Sequence, residues 1–322
     1  MTDPHRNAPE FDLIDRIRRR VRSRDDVVLG IGDDAALLKV PAGRLLVVAA
    51  DTLNAGVHFP EDTAAADIGW KSLAVNLSDL AAMGAAPAWC TLSLSLPGGD
   101  PHWVDAFLDG FLELAHAHDV ALIGGDTTLG PLSISVTVHG FVAPGCALRR
   151  DGARIDDDIW VSGTPGDAAG ALVQWREGGP RDAVLRSRLD RPTPRLALGA
   201  ALADVANACI DISDGLLADL AHVCRGSSVG ARVELDRLPA SDALRTAFDE
   251  THRHALQATG GDDYELCFTA AADLRDQIEA IARRTATPVA RIGRIEAGEG
   301  VRAFDGQGAE WSSGRTGYQH FA

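Results

Sequence analysis

The sequence predicts an α/β chain, of α+β type, in two domains, and three observations carry that expectation. At 322 residues the chain is longer than one hydrophobic core usually organises, and its 46% hydrophobic content is enough for two. Short apolar strands alternate with amphipathic helices in both halves. Between the halves, residues 145–158 are polar, charged and glycine-bearing, which sets the domains at 1–147 and 148–322.

In the first half, Phe11, Leu13, Ile14 and Ile17 predict a short amphipathic helix ending in Arg18, Arg19 and Arg20, whose charges read as a solvated face. A glycine-led turn at 30–36 follows and carries the adjacent Asp33 and Asp34. The apolar run at 45–50 predicts a buried strand that delivers Asp51 at its C-terminal end, the usual place for ligand chemistry in α/β sheets. Residues 69–84 predict a helix with two buried faces. Trp70, Leu73, Leu77 and Leu80 form an apolar stripe, while Ser72, Asn76 and Asp79 repeat the same spacing on another side. A carboxylate on a helix so poor in other charges needs a partner. Gly84 stops the helix and Pro87 prevents its resumption.

Leu92, Leu94 and Leu96 alternate with Thr91, Ser93 and Ser95 in a strand with one polar face. Trp103, Phe107, Phe111 and Leu114 mark another helix. A short strand at 120–123 runs into a glycine turn bearing Asp126, and a last alternating strand spans 132–139. The second half opens with a strand at 159–162 and an alanine-rich helix. A Gly, Pro and Arg-rich loop is expected at 178–195 and a helix at 196–206. A strand then ends in two carboxylates, Asp211 and Asp214, before a helix at 216–224. Farther on, Gly260, Gly261 and Asp262 lead an acidic turn into another strand.

Acidic residues outnumber basic ones by 46 to 31, a net charge of −15, so neither nucleic acid nor an anionic membrane is an expected partner. The five cysteines lack a C-x-x-C pair, so reduced, buried thiols are expected. The first residues lack the apolar core of a leader, and no run approaches the roughly eighteen apolar residues of a membrane span. These features predict a cytoplasmic protein. There is no G-x-x-x-x-G-K-[ST] loop, H-R-D set, H-E-x-x-H or G-x-S-x-G, and the Gly30-x-Gly32 pair is not a full dinucleotide fingerprint.

What recurs is an apolar element, a tight turn and an aspartate: Asp33, Asp34, Asp51, Asp126, Asp211 and Asp214, with Asp79 on the buried helix. Each has a structural explanation as a turn or cap, and a non-catalytic divalent-cation protein is one reading of the set. Such oxygen donors suit Mg²⁺ or Mn²⁺. Two like charges ~4 Å apart repel by about 4 kcal/mol at an effective dielectric near 20, so several carboxylates beside a polyphosphate require bridging cations.

The motifs Gly30-Ile-Gly-Asp-Asp, Asp51-Thr-Leu, Val57-His-Phe, Lys71-Ser-Leu-Ala-Val-Asn-Leu-Ser-Asp, Gly124-Gly-Asp-Thr-Thr, Ile210-Asp-Ile-Ser-Asp-Gly-Leu and Gly261-Asp-Asp-Tyr-Glu-Leu together resemble the thiamine-monophosphate kinase family. Its superfamily includes aminoimidazole ribonucleotide synthetase, selenophosphate synthetase and a hydrogenase-maturation protein. The resemblance implies the two-domain aminoimidazole ribonucleotide synthetase-like fold, with N-terminal domains pairing into a barrel-like sheet in a homodimer. It implies ATP- and Mg²⁺-dependent phosphorylation of thiamine monophosphate to thiamine diphosphate by direct transfer, with no general base. Carried over by position, Asp34, Asp51, Asp79, Asp126, Asp211 and Asp214 would be metal ligands. Gly125, Asp126, Arg150 and Ser213 would contact ATP, and His58, Asp262 and Tyr318 would hold thiamine monophosphate. The sequence departs from the family at Ala49 and Ala50, at Asp262 where Glu is usual, and at Arg315 where an aromatic can stand. The selenophosphate and hydrogenase relatives use a cysteine near one terminus, whereas the first cysteine here is Cys90 and the chain ends Gln-His-Phe-Ala.

Overall fold

The computed structural model describes residues 9–312, 314, 317 and 318, so Arg315 lies outside the described residues. The chain divides into two compact units, one running to Leu80 and resuming over Ala86–Pro144, the other formed by Ala81–Ala85 and the chain from Gly145 onward.

The first unit contains α1 (Glu10–Arg20), β1 (Val27–Leu29), β2 (Leu37–Leu38), β3 (Leu45–Asn54), most of α2 (Ala65–Ala82), β4 (Ala86–Leu96), α3 (Pro101–Ala117), β5 (Ala121–Leu129) and β6 (Ser133–Val142). Its main sheet has the order β3-β6-β4-β5, with only β4 and β5 parallel. A parallel pair needs a crossover, and α3 supplies it. This helix starts sharply because Pro101 follows the cap Asp100, whose carboxylate accepts the His102 N–H at 2.9 Å. α2 and α3 approach closely through glycines. A Cβ at Gly110 would sit 1.8 Å from the Ala66 carbonyl oxygen, and one at Gly69 would sit 2.0 Å from that of Phe107. Ile134, Val136 and Val138 alternate along β6 with half-exposed Ser133, Ser135, Thr137 and His139, as a sheet with one polar face requires.

Two expectations for this unit change. The strand at 45–50 forms but is not buried in the single chain, since Leu45, Leu46 and Val48 are 51%, 46% and 53% exposed. β3 is an edge strand paired only with β6, and side chains on both of its faces, Leu45 on one and Leu46 and Val48 on the other, stay exposed. Strands also run farther than the turn signals suggested. Asp51 lies inside β3 and Asp126 inside β5, because ladder pairing with β6 and β4 carries both strands past their glycine or polar residues.

The second unit contains β7 (Asp158–Ser162), α4 (Asp167–Glu177), α5 (Ala183–Asp190), α6 (Leu196–Leu202), β8 (Ala208–Asp211), α7 (Leu216–Ser227), β9 (Gly230–Glu234), α8 (Asp242–Ala247), α9 (Glu250–Thr259), β10 (Leu266–Ala270), α10 (Arg275–Arg284), β11 (Val289–Glu296), β12 (Gly300–Phe304) and β13 (Glu310–Trp311). The sheet order is β13-β12-β9-β11-β7-β10-β8, with β12 and β9 parallel and the rest antiparallel. Ile159, Val161, Ile210, Leu220, Val233 and Ile292 build its core. The expected loop at 178–195 contains α5. Asp182 caps it by accepting the Val184 and Leu185 N–H groups, and Leu185 and Leu189, one turn apart, join Leu244 in a satellite core. Burying each of those leucines contributes about 1.5–3 kcal/mol. The helix expected at 196–206 closes at Leu202. All five cysteines are free, and Cys90, Cys209, Cys224 and Cys267 are buried. Among the described residues no helix is long and apolar enough to cross a membrane.

Candidate active site

In the first unit the polar stripe of α2 is a chain of hydrogen bonds. Ser72 Oγ donates to the Gly69 carbonyl and Asn76 Nδ2 donates to the Ser72 carbonyl, each at 2.9 Å. Asn76 Oδ1 then accepts the Asp51 backbone N–H at 2.8 Å. The fully buried Asn76 thus bolts β3 to α2 at the exposed residue Asp51. Asp79, one turn further along α2, is half-buried, and Asp34 is exposed in the turn after β1, where its N–H donates to Asp33 at 2.8 Å.

Gly125 has a φ of +150°, and a Cβ there would sit 1.8 Å from the Leu92 carbonyl oxygen. Only glycine lets β5 approach β4 this closely. Asp126 follows, exposed and opposite Ser93 in register. Gly124, Gly125, Asp126 and Thr127 form one wall of a cavity of about 90 Å³, with Ile14 and Ile17 of α1 among its other lining residues.

His58 is fixed from two sides. Its Nδ1 accepts the Asn54 N–H at 2.9 Å, and its carbonyl accepts from the buried Lys71 ammonium, also at 2.9 Å. A neutral imidazole accepting on Nδ1 carries its proton on Nε2.

In the second unit β8 ends at Asp211, which is buried, and the chain turns through Ser213, Asp214 and Gly215 into α7. One oxygen of Asp219 accepts the backbone N–H groups of all three turn residues, at 3.0, 3.1 and 3.1 Å. Burial, then the charges of Asp211 and Asp214, push the Asp219 carboxyl up to about 7 against those N–H bonds.

The turn after α9 is pinned to this one. Asp262 N–H donates to the Ser213 carbonyl at 2.9 Å, Tyr264 N–H to that of Ile212 at 2.8 Å, and Tyr318 N–H to that of Asp214 at 3.1 Å. Asp262 and Tyr264 hold φ values of +69° and +51°, a left-handed conformation that costs a non-glycine residue of order 1 kcal/mol or more. Buried groups between and after them hold that strain. Asp263 accepts the Gly166 N–H with both oxygens at 2.9 Å, and full burial pushes its carboxyl well above the usual range. Glu265, fully buried, accepts from Arg188 at 2.5 Å, from Arg195 at 2.5 and 2.7 Å, and from Ser162 Oγ at 2.5 Å.

Ser213, Asp214, Asp262 and Tyr318 therefore meet in one backbone-bonded cluster, with Asp211 at its root. Arg150 is exposed, and its carbonyl accepts from Ser227. Asp34, Asp51, Asp79 and Asp126 belong to the first unit. Among the described residues of the first unit, no three of these four carboxylates bring ligand atoms within 4.8 Å of one another. Asn76, Lys71, Asp219, Arg188, Arg195 and Glu265 carry roles the sequence reading did not assign. A signal existed for Glu265, since a carboxylate leading directly into an apolar strand needs a buried partner.

A family model described as AIR synthase related protein, N-terminal domain, matches residues 32–142, and the corresponding C-terminal domain model matches residues 154–306. The chain is 46% identical to the thiamine-monophosphate kinase of Salmonella typhimurium over 321 residues, 97% of this chain and 98% of the relative. It is similar to the crystal structure of thiamine-monophosphate kinase from Stenotrophomonas maltophilia, with a TM-score of 0.86 and 58% identity over 92% of this chain and 97% of that one. AaThiL complexed with AMPPCP and TMP matches at a TM-score of 0.76 and 31% identity, covering 97% of each chain.

Proposed function

Because the chain belongs to the thiamine-monophosphate kinases, within the AIR synthase related family, we propose that it transfers the γ-phosphoryl group of ATP to thiamine monophosphate, giving thiamine diphosphate and ADP. The observation that carries this reading to particular residues is the cluster in which Ser213 and Asp214 are backbone-bonded to Asp262 and Tyr318. It joins residues assigned to nucleotide and metal with residues assigned to substrate.

The carboxylates that would hold Mg²⁺ are Asp34, Asp51, Asp79 and Asp126 on the first unit and Asp211 and Asp214 on the second. Bound cations would offset the charge of the transferring phosphoryl group. Asn76 fixes the backbone at Asp51, so that carboxylate moves only about its own side-chain bonds. Gly125, Asp126, Arg150 and Ser213 are assigned to ATP. The acceptor is a phosphate oxygen, already ionised near neutral pH because its second pKa is about 6, so no general base is needed. His58, with Nε2 carrying the proton, binds and orients the acceptor. Asp262 offsets the cationic thiazolium, and Tyr318, 47% exposed, offers a ring face to it.

The working unit in this reading is a homodimer formed through the first unit, supported by the exposed apolar residues of β3. The activity is tested by incubating the protein with ATP, Mg²⁺ and thiamine monophosphate and separating the products chromatographically. Thiamine diphosphate should appear in step with ADP. Release of ADP without thiamine diphosphate would overturn the assignment of the acceptor.

A further inference from the structure

A second group of side chains, none of them among the residues assigned above, has the composition of a metal site. α9 begins after Asp249, whose carboxylate accepts the His252 N–H at 2.9 Å, and this cap places Glu250 and His254 one turn apart on the same helix face. Asp236, in the 3-10 turn Leu235–Arg237, completes the group. One ligand atom from each of the three lies within 4.8 Å of the others.

His254 is the informative member. It is 8% exposed, yet among the described residues neither of its ring nitrogens has a hydrogen-bond partner. Its Nε2 faces Asp236 Oδ1 at 3.8 Å, too far for a hydrogen bond. Two ligands each about 2.1 Å from one ion, at a tetrahedral angle, stand roughly 3.4 Å apart. The observed gap therefore accommodates a shared cation with a shift of a few tenths of an ångström. Glu250 is exposed and can rotate to close the third side. The neighbouring cation does not neutralise Asp236, because Arg237 pairs with Glu234. The other oxygen of Asp236 lies against Gly306, where a Cβ would come within 1.8 Å.

We propose that Asp236, Glu250 and His254 bind one divalent transition cation of the zinc class, stapling the 235–237 turn to the start of α9. Imidazole with two carboxylates suits Zn²⁺ and disfavours Mg²⁺, and a water completes the tetrahedron. The inference does not rest on the proposed kinase activity.

The test uses the full, tag-free chain, stripped with chelator and dialysed against micromolar Zn²⁺ with Mg²⁺ in large excess to occupy the oxygen-only sites. Metal content is then measured by atomic absorption. The wild type should hold one more equivalent of zinc than Asp236→Ala, Glu250→Ala or His254→Gln. Zinc should raise the melting temperature of the wild type and leave that of the variants unmoved. Asp236 and Glu250 are surface residues, so their variants decide the matter even where His254→Gln fails to fold. Equal zinc content in the wild type and the two surface variants, or none in the wild type, would overturn the site.

Discussion

Glu265 shows at the scale of one residue how the strained turn is held. Its carboxylate is fully buried and spends its lone pairs on Arg188, Arg195 and Ser162, so replacing it strands two guanidiniums that are themselves only 18% and 16% exposed. Breaking a buried ion pair by removing one partner costs about 3–5 kcal/mol. Glu265→Gln should therefore lower unfolding stability by about that amount in urea titrations, and a loss below about 1 kcal/mol would show that solvent reaches the pair. Residue chemistry was legible where it follows from neighbours in the chain: the glycine before Asp126, the polar stripe of α2, the acidic turn after α9. What escaped was pairing over distance. Nothing local announces that Arg188 and Arg195 meet Glu265, or that Tyr318 is bonded to Asp214.

At the scale of elements, β3 is the informative failure. Its apolar run was legible as a strand, but such a run says only that something covers it, and the single chain supplies no cover for Leu45, Leu46 and Val48. A long apolar edge strand is an invitation to pair with another chain. Sedimentation at micromolar concentration should give twice the 34.0 kDa chain mass, and Leu46→Lys should reduce it to one chain. A wild type that sediments as a single chain would remove the dimer. α5 was missed for the opposite reason. Its Asp182 cap and its Leu185 and Leu189 spacing were present, but Gly, Pro and Arg around them drew the reading toward a loop.

At the scale of the molecule, both units carry carboxylates at strand-borne or turn positions, on backbone that hydrogen bonds hold in place. The Asp51 backbone is fixed by Asn76, the 213–215 turn by Asp219, and the 262–264 turn by Asp263 and Glu265. The proposed reading gives no side chain the part of a covalent carrier or a base. That makes direct transfer the central claim, and a single turnover with γ-labelled ATP, excess protein, Mg²⁺ and thiamine monophosphate addresses it. The label should pass into thiamine diphosphate at the rate ATP is consumed, with none retained on acid-precipitated protein. Label accumulating on the protein, or leaving as inorganic phosphate while thiamine monophosphate stays unconverted, would contradict it.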